Sequence, residues 1–282
     1  MAALRLALVQ LDVRLGDLER NLARAAELVR RAGASDADLV VLPELALSGY
    51  RVGDVADDLS LACDDERLAA LVAEAGNAAI LVGFAERTRL HVYNAAAYFE
   101  AGALVHLHRK LYLPTYGIYE ERKHFSPGGS LRAFDARLGR LAMLVCNDAW
   151  QLPLPFLAVQ DAAEMLLVPS ASAAAAYPGS LDTRSYWRDI TRFYGRMLES
   201  YVVFVNRVGR EEGLEFWGGS HVVDPCGEVV AAAADHEETV LVCDVDLAAV
   251  GARRRAVPLV REARLGLIAR EVERLLGPAA DR

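Results

Sequence analysis

The sequence predicts an α/β fold on three observations. Short strings of Val, Leu and Ile recur along the chain, longer segments of helical period lie between many of them, and the composition can support a large core. The chain has 282 residues, 54% hydrophobic and 25% charged, which excludes disorder. Leu4 to Leu11 is the first strand. Asp17 then caps a helix through Arg31, with Leu18, Leu22, Ala25, Ala26 and Val29 on one face and Gly33 as its stop. Leu39 to Leu42 is a strand ending at Pro43-Glu44. A helix over Asp65 to Ala75 leads to the strand Ile80 to Ala85, and Asn94 to Phe99 and Ala103 to Leu107 flank a hairpin turn at Glu100-Ala101-Gly102.

Tyr112 to Ser130 is a long connection rich in Pro, Gly and aromatic residues, the kind that usually carries function. Strands resume at Leu131 to Phe134 and Leu141 to Val145. Pro153 and Pro155 open a helix to Ala163, Met165 to Val168 is a strand, and Ser170 to Ser180 reads as small and flexible before a helix over Arg184 to Glu199. Val202 to Val205, Ser220 to Val223, Val229 to Ala232 and Val240 to Cys243 complete the strands, and Pro258 to Leu276 has helical period. No linker, repeat or charge block divides the chain, so residues 1–282 are read as one domain.

A formal net charge of -8 argues against a nucleic-acid partner, which needs clustered cations. The run Arg253-Arg254-Arg255 reads as a solvated helix face. Cys63, Cys146, Cys226 and Cys243 are scattered without metal-ligand or dithiol spacing, and neither a secretory leader nor a membrane span is written in the sequence. The expectation is a cytoplasmic protein with no membrane partner.

Cys146 closes the apolar run Leu141 to Val145, and Glu44 closes the run Leu39 to Pro43. Lys110 also follows a strand, and it is one of only two lysines among 31 basic residues. Each has a plain structural reading: a small core thiol, a helix cap or surface ion pair, a chance survivor among arginines. Taken together they supply a nucleophile, a base and a cation for a developing oxyanion, the set that acyl transfer from an amide requires. If the strands are parallel neighbours, the three groups meet at one sheet edge. No histidine forms a triad pattern, and His106 and His108 read as decoration of one strand face.

At these residues the chain resembles the nitrilase, or carbon-nitrogen hydrolase, superfamily. The matching stretches are Val41-Leu42-Pro43-Glu44, Arg109-Lys110-Leu111-Tyr112-Leu113-Pro114 and Leu144-Val145-Cys146-Asn147-Asp148, with Gly218 to Gly227 similar to a late hairpin of that family. The resemblance implies a four-layer α/β/β/α sandwich that dimerises through its sheet-flanking helices. It implies Glu44 as general base, Lys110 as oxyanion stabiliser, Cys146 as nucleophile and the Asn147 backbone N–H as a second oxyanion donor. A further family glutamate falls on Glu120 or Glu121, with Glu121 the better match. No metal or organic cofactor is implied.

The branch stays open. Asn147-Asp148 after the cysteine departs from the nitrilase pattern and favours amides. Cys146-Asn147-Asp148 resembles N-carbamoyl-amino-acid hydrolases, while Asp148, Trp150, Tyr116-Gly117 and Ser170-Ala171-Ser172 resemble glutaminase domains of NAD synthetases. With no synthetase fused, a free-standing amidase is favoured over a glutaminase. A catalytically silent binding member and an acyltransferase are the alternatives of other classes. Tyr116, Trp150, Tyr177, Trp187 and Trp217 are candidate substrate-pocket walls, and Arg184 or Arg188 a candidate partner for a substrate carboxylate.

Overall fold

Strands that are apolar on both faces have to be covered on both faces. In Leu4–Gln10 (β1), Leu6 and Leu8 enter one apolar cluster while Ala7 and Val9 enter another, as the two-residue period of a strand requires. The computed structural model describes residues 3–53, 56–116, 119–174 and 182–277. Leu39–Val41 (β2), Ala79–Arg87 (β3), Val92–Glu100 (β4), Ala103–Arg109 (β5) and Thr239–Val245 (β14) join β1 in one six-stranded sheet, ordered β14-β1-β2-β3-β4-β5. The second sheet has Ala133–Ala136 (β6), Gly139–Met143 (β7), Met165–Ser170 (β8), Tyr201–Asn206 (β9), His221–Val223 (β12) and Val229–Ala232 (β13), ordered β13-β12-β9-β8-β7-β6. Each sheet has a parallel centre, β1-β2-β3 and β7-β8-β9, with antiparallel flanks.

Helices cover the outer faces. Leu18–Gly33 (α1) and Glu66–Ala73 (α2) bury Leu22, Ala25, Leu28, Leu68 and Leu71 with the outward side chains of the first sheet. Pro153–Gln160 (α4) and Thr183–Leu198 (α5) do the same for the second with Leu154, Ala158, Trp187, Tyr194 and Leu198. Between the sheets, Leu6, Leu8, Leu39, Val41 and Leu81 face Leu141, Met143, Leu167 and Val203. The order is therefore α/β/β/α, as expected. Asp17 caps α1 by accepting from the Arg20 N–H at 3.3 Å, although Ala26 on its expected face is only half-buried. Ala101 and Gly102 both take positive φ, 48° and 79°, the geometry of a two-residue hairpin between β4 and β5.

Several expectations need correction. The strand placed at Leu131 to Phe134 runs over Ala133–Ala136, because its pairing starts only where Ala133 meets Ala142 of β7. A ribbon of Val208–Glu211 (β10) and Leu214–Trp217 (β11) was not signalled by the sequence, nor was the helix Ala248–Ala256 (α6), which buries only Val250. The arginine run is not simply solvated. Arg254 is half-buried and donates from Nη2 to Ala163 O at 2.6 Å and Ser200 Oγ at 2.9 Å. The helical tail resolves into Leu265–Leu276 (α7), none of whose residues is buried. The stretch expected to be flexible, Ser170 to Ser180, begins inside β8, and residues 175–181 lie outside the described residues. No helix among the described residues is long and apolar enough to cross a membrane.

Candidate active site

Strand direction decides which side chains can meet. β5 returns antiparallel to β4, which is antiparallel to β3, so β2, β3 and β5 all point their carboxyl ends to one rim. Glu44 follows β2 and Lys110 follows β5, while Cys146 and Ala171 follow β7 and β8 of the facing sheet. The three expected groups do converge. They do so across two sheets, however, and not on neighbouring strands of one sheet as the sequence suggested.

Lys110 is fully buried, and its Nζ donates to Glu44 Oε1 at 2.6 Å and to Glu121 Oε1 at 2.7 Å. Asn94 Nδ2 donates to Glu44 Oε1 at 2.7 Å, and the Ala171 N–H donates to Glu44 Oε2 at 2.7 Å. Tyr50 donates its hydroxyl to Glu121. Glu121 opens the short helix Glu121–His124 (α3) and is buried against Lys110, whereas Glu120 pairs with Lys123 on the surface. Burial works against the Lys110 charge, but Glu121 and Glu44 outweigh it and hold the ammonium well above its usual pKa. Burial pushes Glu121 up to about 7, with Lys110 pulling down and Glu44 pushing up.

Cys146 heads a 3-10 turn, Cys146–Trp150, with φ of 47°, a left-handed conformation that a side chain adopts only when its surroundings enforce it. Its surroundings, with Glu44 adding to them, raise the thiol well above its ordinary pKa, while Lys110 opposes the rise. Two residues on in the same turn, Asp148 is fully buried. Asp148 Oδ1 accepts from the N–H groups of Leu111 and Tyr112, both at 2.9 Å, and Oδ2 contacts His108 Nε2 at 2.9 Å and accepts from the Val145 N–H at 3.2 Å. One carboxylate thus ties the cysteine turn to the His108 side chain before Lys110 and to the backbone just after it. His108 is accordingly buried at the site, and only His106, stacked on Phe134, fits the description of strand decoration.

Cys146 opens onto a narrow cleft lined by Tyr50, Pro114, Tyr116, Tyr119, Asn147, Trp150, Ser172, Thr183 and Trp187. Of the expected walls, Tyr116, Trp150 and Trp187 are in place. Trp217 is not: it is buried in β11, stacked 5.8 Å from Phe204 behind Ser172. Tyr177 lies outside the described residues. Arg184 and Arg188 do not line the cleft; they face Asp182 at 3.5 Å and Asp235 at 3.3 Å. No cluster of metal-ligating side chains occurs among the described residues.

Residues 5–255 match the carbon-nitrogen hydrolase family. The chain belongs to that family. Within it, the chain is 32% identical over 250 residues to the glutamine-dependent NAD(+) synthetase of Thermotoga maritima, covering 88% of this chain but 43% of that protein. It therefore spans less than half the length of that relative. It is 28% identical over 265 residues to N-carbamoylputrescine amidase of Arabidopsis thaliana, with 88% of each chain covered. Among solved structures, a carbon-nitrogen hydrolase from Helicobacter pylori G27 superposes with a TM-score of 0.83 at 24% identity, covering 94% of this chain and 97% of that one. An amidase of the nitrilase superfamily from Nesterenkonia AN1 gives 0.80 at 24% identity, with 95% and 96% covered. These two likenesses concern the fold.

The candidate site contains groups that the sequence reading did not single out. Tyr50 and Asn94 are the clearest, and the overlooked β10-β11 ribbon supports the first of them. Glu211 of β10 accepts from the Tyr50 N–H at 2.9 Å and is paired with buried Arg207, whose guanidinium lies 4.1 Å over the Phe216 ring. Gly83 carries a signal that was legible, a lone glycine in the apolar run Ile80 to Ala85. A Cβ there would lie 2.2 Å from Pro43 O and 2.8 Å from Glu44 Cα. Gly83→Ala is expected to displace Glu44, lowering stability by about 1–3 kcal/mol and turnover by about 10²-fold. Urea melts and saturating-substrate rates measure the two effects, and an unchanged rate would remove Gly83 from the argument.

Proposed function

We propose that the protein hydrolyses a non-peptide linear amide or an N-carbamoyl group through a thioester on Cys146. The observation that carries this is the Lys110 ammonium, buried against both Glu44 and Glu121 beside the cleft that Cys146 lines. Because the thiol pKa is raised, the resting nucleophile is protonated and needs a base at the moment of attack. Glu44 takes that proton as sulfur bonds to the carbonyl carbon. Lys110 and the Asn147 N–H hold the oxyanion. Glu44 returns the proton to the departing nitrogen, the C–N bond breaks, and ammonia leaves. Water, deprotonated by Glu44, then attacks the thioester; the carboxylic or carbamic acid departs and the thiol is restored. Glu121, fixed by Tyr50, keeps Lys110 in place.

The same reading takes residues 1–282 as one domain of a cytoplasmic homodimer. Four unpaired cysteines suit a reducing compartment, and α4 and α5 expose Leu157, Tyr186, Phe193 and Met197 as a face for a second copy. A second reading, a glutaminase supplying ammonia, is favoured by the likeness to the NAD synthetases. Purified protein incubated with simple amides, N-carbamoyl amines, N-carbamoyl amino acids, glutamine and nitriles is expected to release ammonia from an amide or carbamoyl compound and to show a transient acyl mass on Cys146. Release from glutamine alone would select the second reading. Absence of both ammonia and adduct with every class would overturn the hydrolytic proposal.

A further inference from the structure

Resting on that hydrolytic reading, we infer that the cleft selects amides whose far end carries no carboxylate, and prefers one ending in an ammonium group. The cleft wall is rich in aromatic side chains, Tyr50, Tyr116, Tyr119, Trp150 and Trp187. The polar tips of three of them are already hydrogen-bonded to protein groups: Tyr50 OH to Glu121, Tyr116 OH to Asn147 Oδ1 at 2.9 Å, and Trp187 Nε1 to Ser172 Oγ at 3.0 Å. What these side chains offer a ligand is mainly the negative face of a ring, which attracts cations and repels anions.

Counter-charge for a carboxylate is missing from the same wall. No Arg or Lys is among the described residues that line the cleft, and the nearby Arg51, Arg184 and Arg188 each face a carboxylate of their own, Glu212, Asp182 and Asp235. Residues 117–118 and 175–181, outside the described residues, read Gly-Ile and Ala-Ala-Tyr-Pro-Gly-Ser-Leu and contain no Arg or Lys. At the reacting end, two carboxyl groups share the one Lys110 ammonium, so any imbalance there is negative. A carboxylate entering this cleft loses water without gaining a cation, whereas an ammonium group gains ring faces and a favourable field.

A matched series decides it: γ-aminobutyramide, pentanamide and glutaramate share one amide and one spacer and differ only in a terminal ammonium, methyl or carboxylate. Each is titrated calorimetrically into the Cys146→Ala variant, and each is assayed for ammonia with the intact protein. The expected order of affinity and of kcat/KM is ammonium, then methyl, then carboxylate, with about tenfold or more between the ends. Glutaramate binding as well as either partner would overturn the inference even if turnover is normal. The expected binding order without Cys146-dependent ammonia would support the cleft's selectivity while overturning the hydrolytic reading on which it rests. No binding by any of the three would overturn the inference as well.

Discussion

Cys146→Ala is expected to reduce ammonia release to the uncatalysed background and to abolish the acyl adduct, while the protein stays folded. The proposed chemistry places the whole covalent step on one sulfur, and the other cysteines have no access to the cleft: Cys226 is exposed in the turn between β12 and β13, and Cys63 and Cys243 lie on the first sheet's side. The backbone provides a second arm. Alanine at position 146 keeps the strain of φ 47°, whereas glycine takes that conformation freely. Cys146→Gly should therefore be more stable than Cys146→Ala, by about 1 kcal/mol. Ammonia assays, intact mass and paired thermal melts measure the three outcomes. Turnover in the alanine variant above about a hundredth of the parent rate would remove the thioester from the mechanism, since losing such a nucleophile costs far more than that.

Lys110→Met should be damaging in two separable ways. Removing an oxyanion donor costs about 10²–10³ in rate, and leaving Glu44 and Glu121 buried without their cation costs about 3–5 kcal/mol. The stability loss should depend on pH. Glu121 already sits above the usual carboxylate range, at about 7, and the methionine variant lacks the ammonium that pulls it down. A carboxyl raised in the folded state relative to 4.5 favours folding when protonated, and that contribution disappears as pH rises through the folded value. The variant's deficit should thus be smaller at about pH 5 than at about pH 8. Lys110→Arg should restore neither rate nor full stability, because a planar guanidinium does not fit a fully buried site shaped to a single ammonium. Urea melts across this pH range check the sign, and a deficit that grows in acid would contradict the charge assignment.

The chemistry-bearing trio was legible because each member follows a strand, and Glu44 and Cys146 close apolar runs that read as buried. The runs could not say which sheet they belonged to, since two sheets apolar on both faces look alike in sequence. That is why Glu44 and Lys110 were placed correctly at a strand end while their relation to Cys146, across the layers, was not. The β10-β11 ribbon was hidden by its own function: Arg207 and Glu211 put buried charge where an apolar alternation was sought. Trp217 and Trp187 show the limit for pocket walls. Both are large, buried, near loops and packed on Phe204, and only Trp187 reaches the cleft lining. Asn94 and Tyr50 acquire meaning only from partners distant in the chain, 50 residues away in the case of Asn94 and Glu44.

Asp148 gives the two-layer arrangement its tolerance to sliding. The contact between the sheets is apolar and non-directional, so it resists separation well and shear poorly. Hydrogen bonds are directional, and those Asp148 makes to residues 108, 111, 112 and 145 span both layers at the rim. The carboxylate works as a registration pin. It converts a greasy interface, indifferent to displacements of a fraction of an ångström, into one that keeps a sulfur and an ammonium aligned from opposite sides.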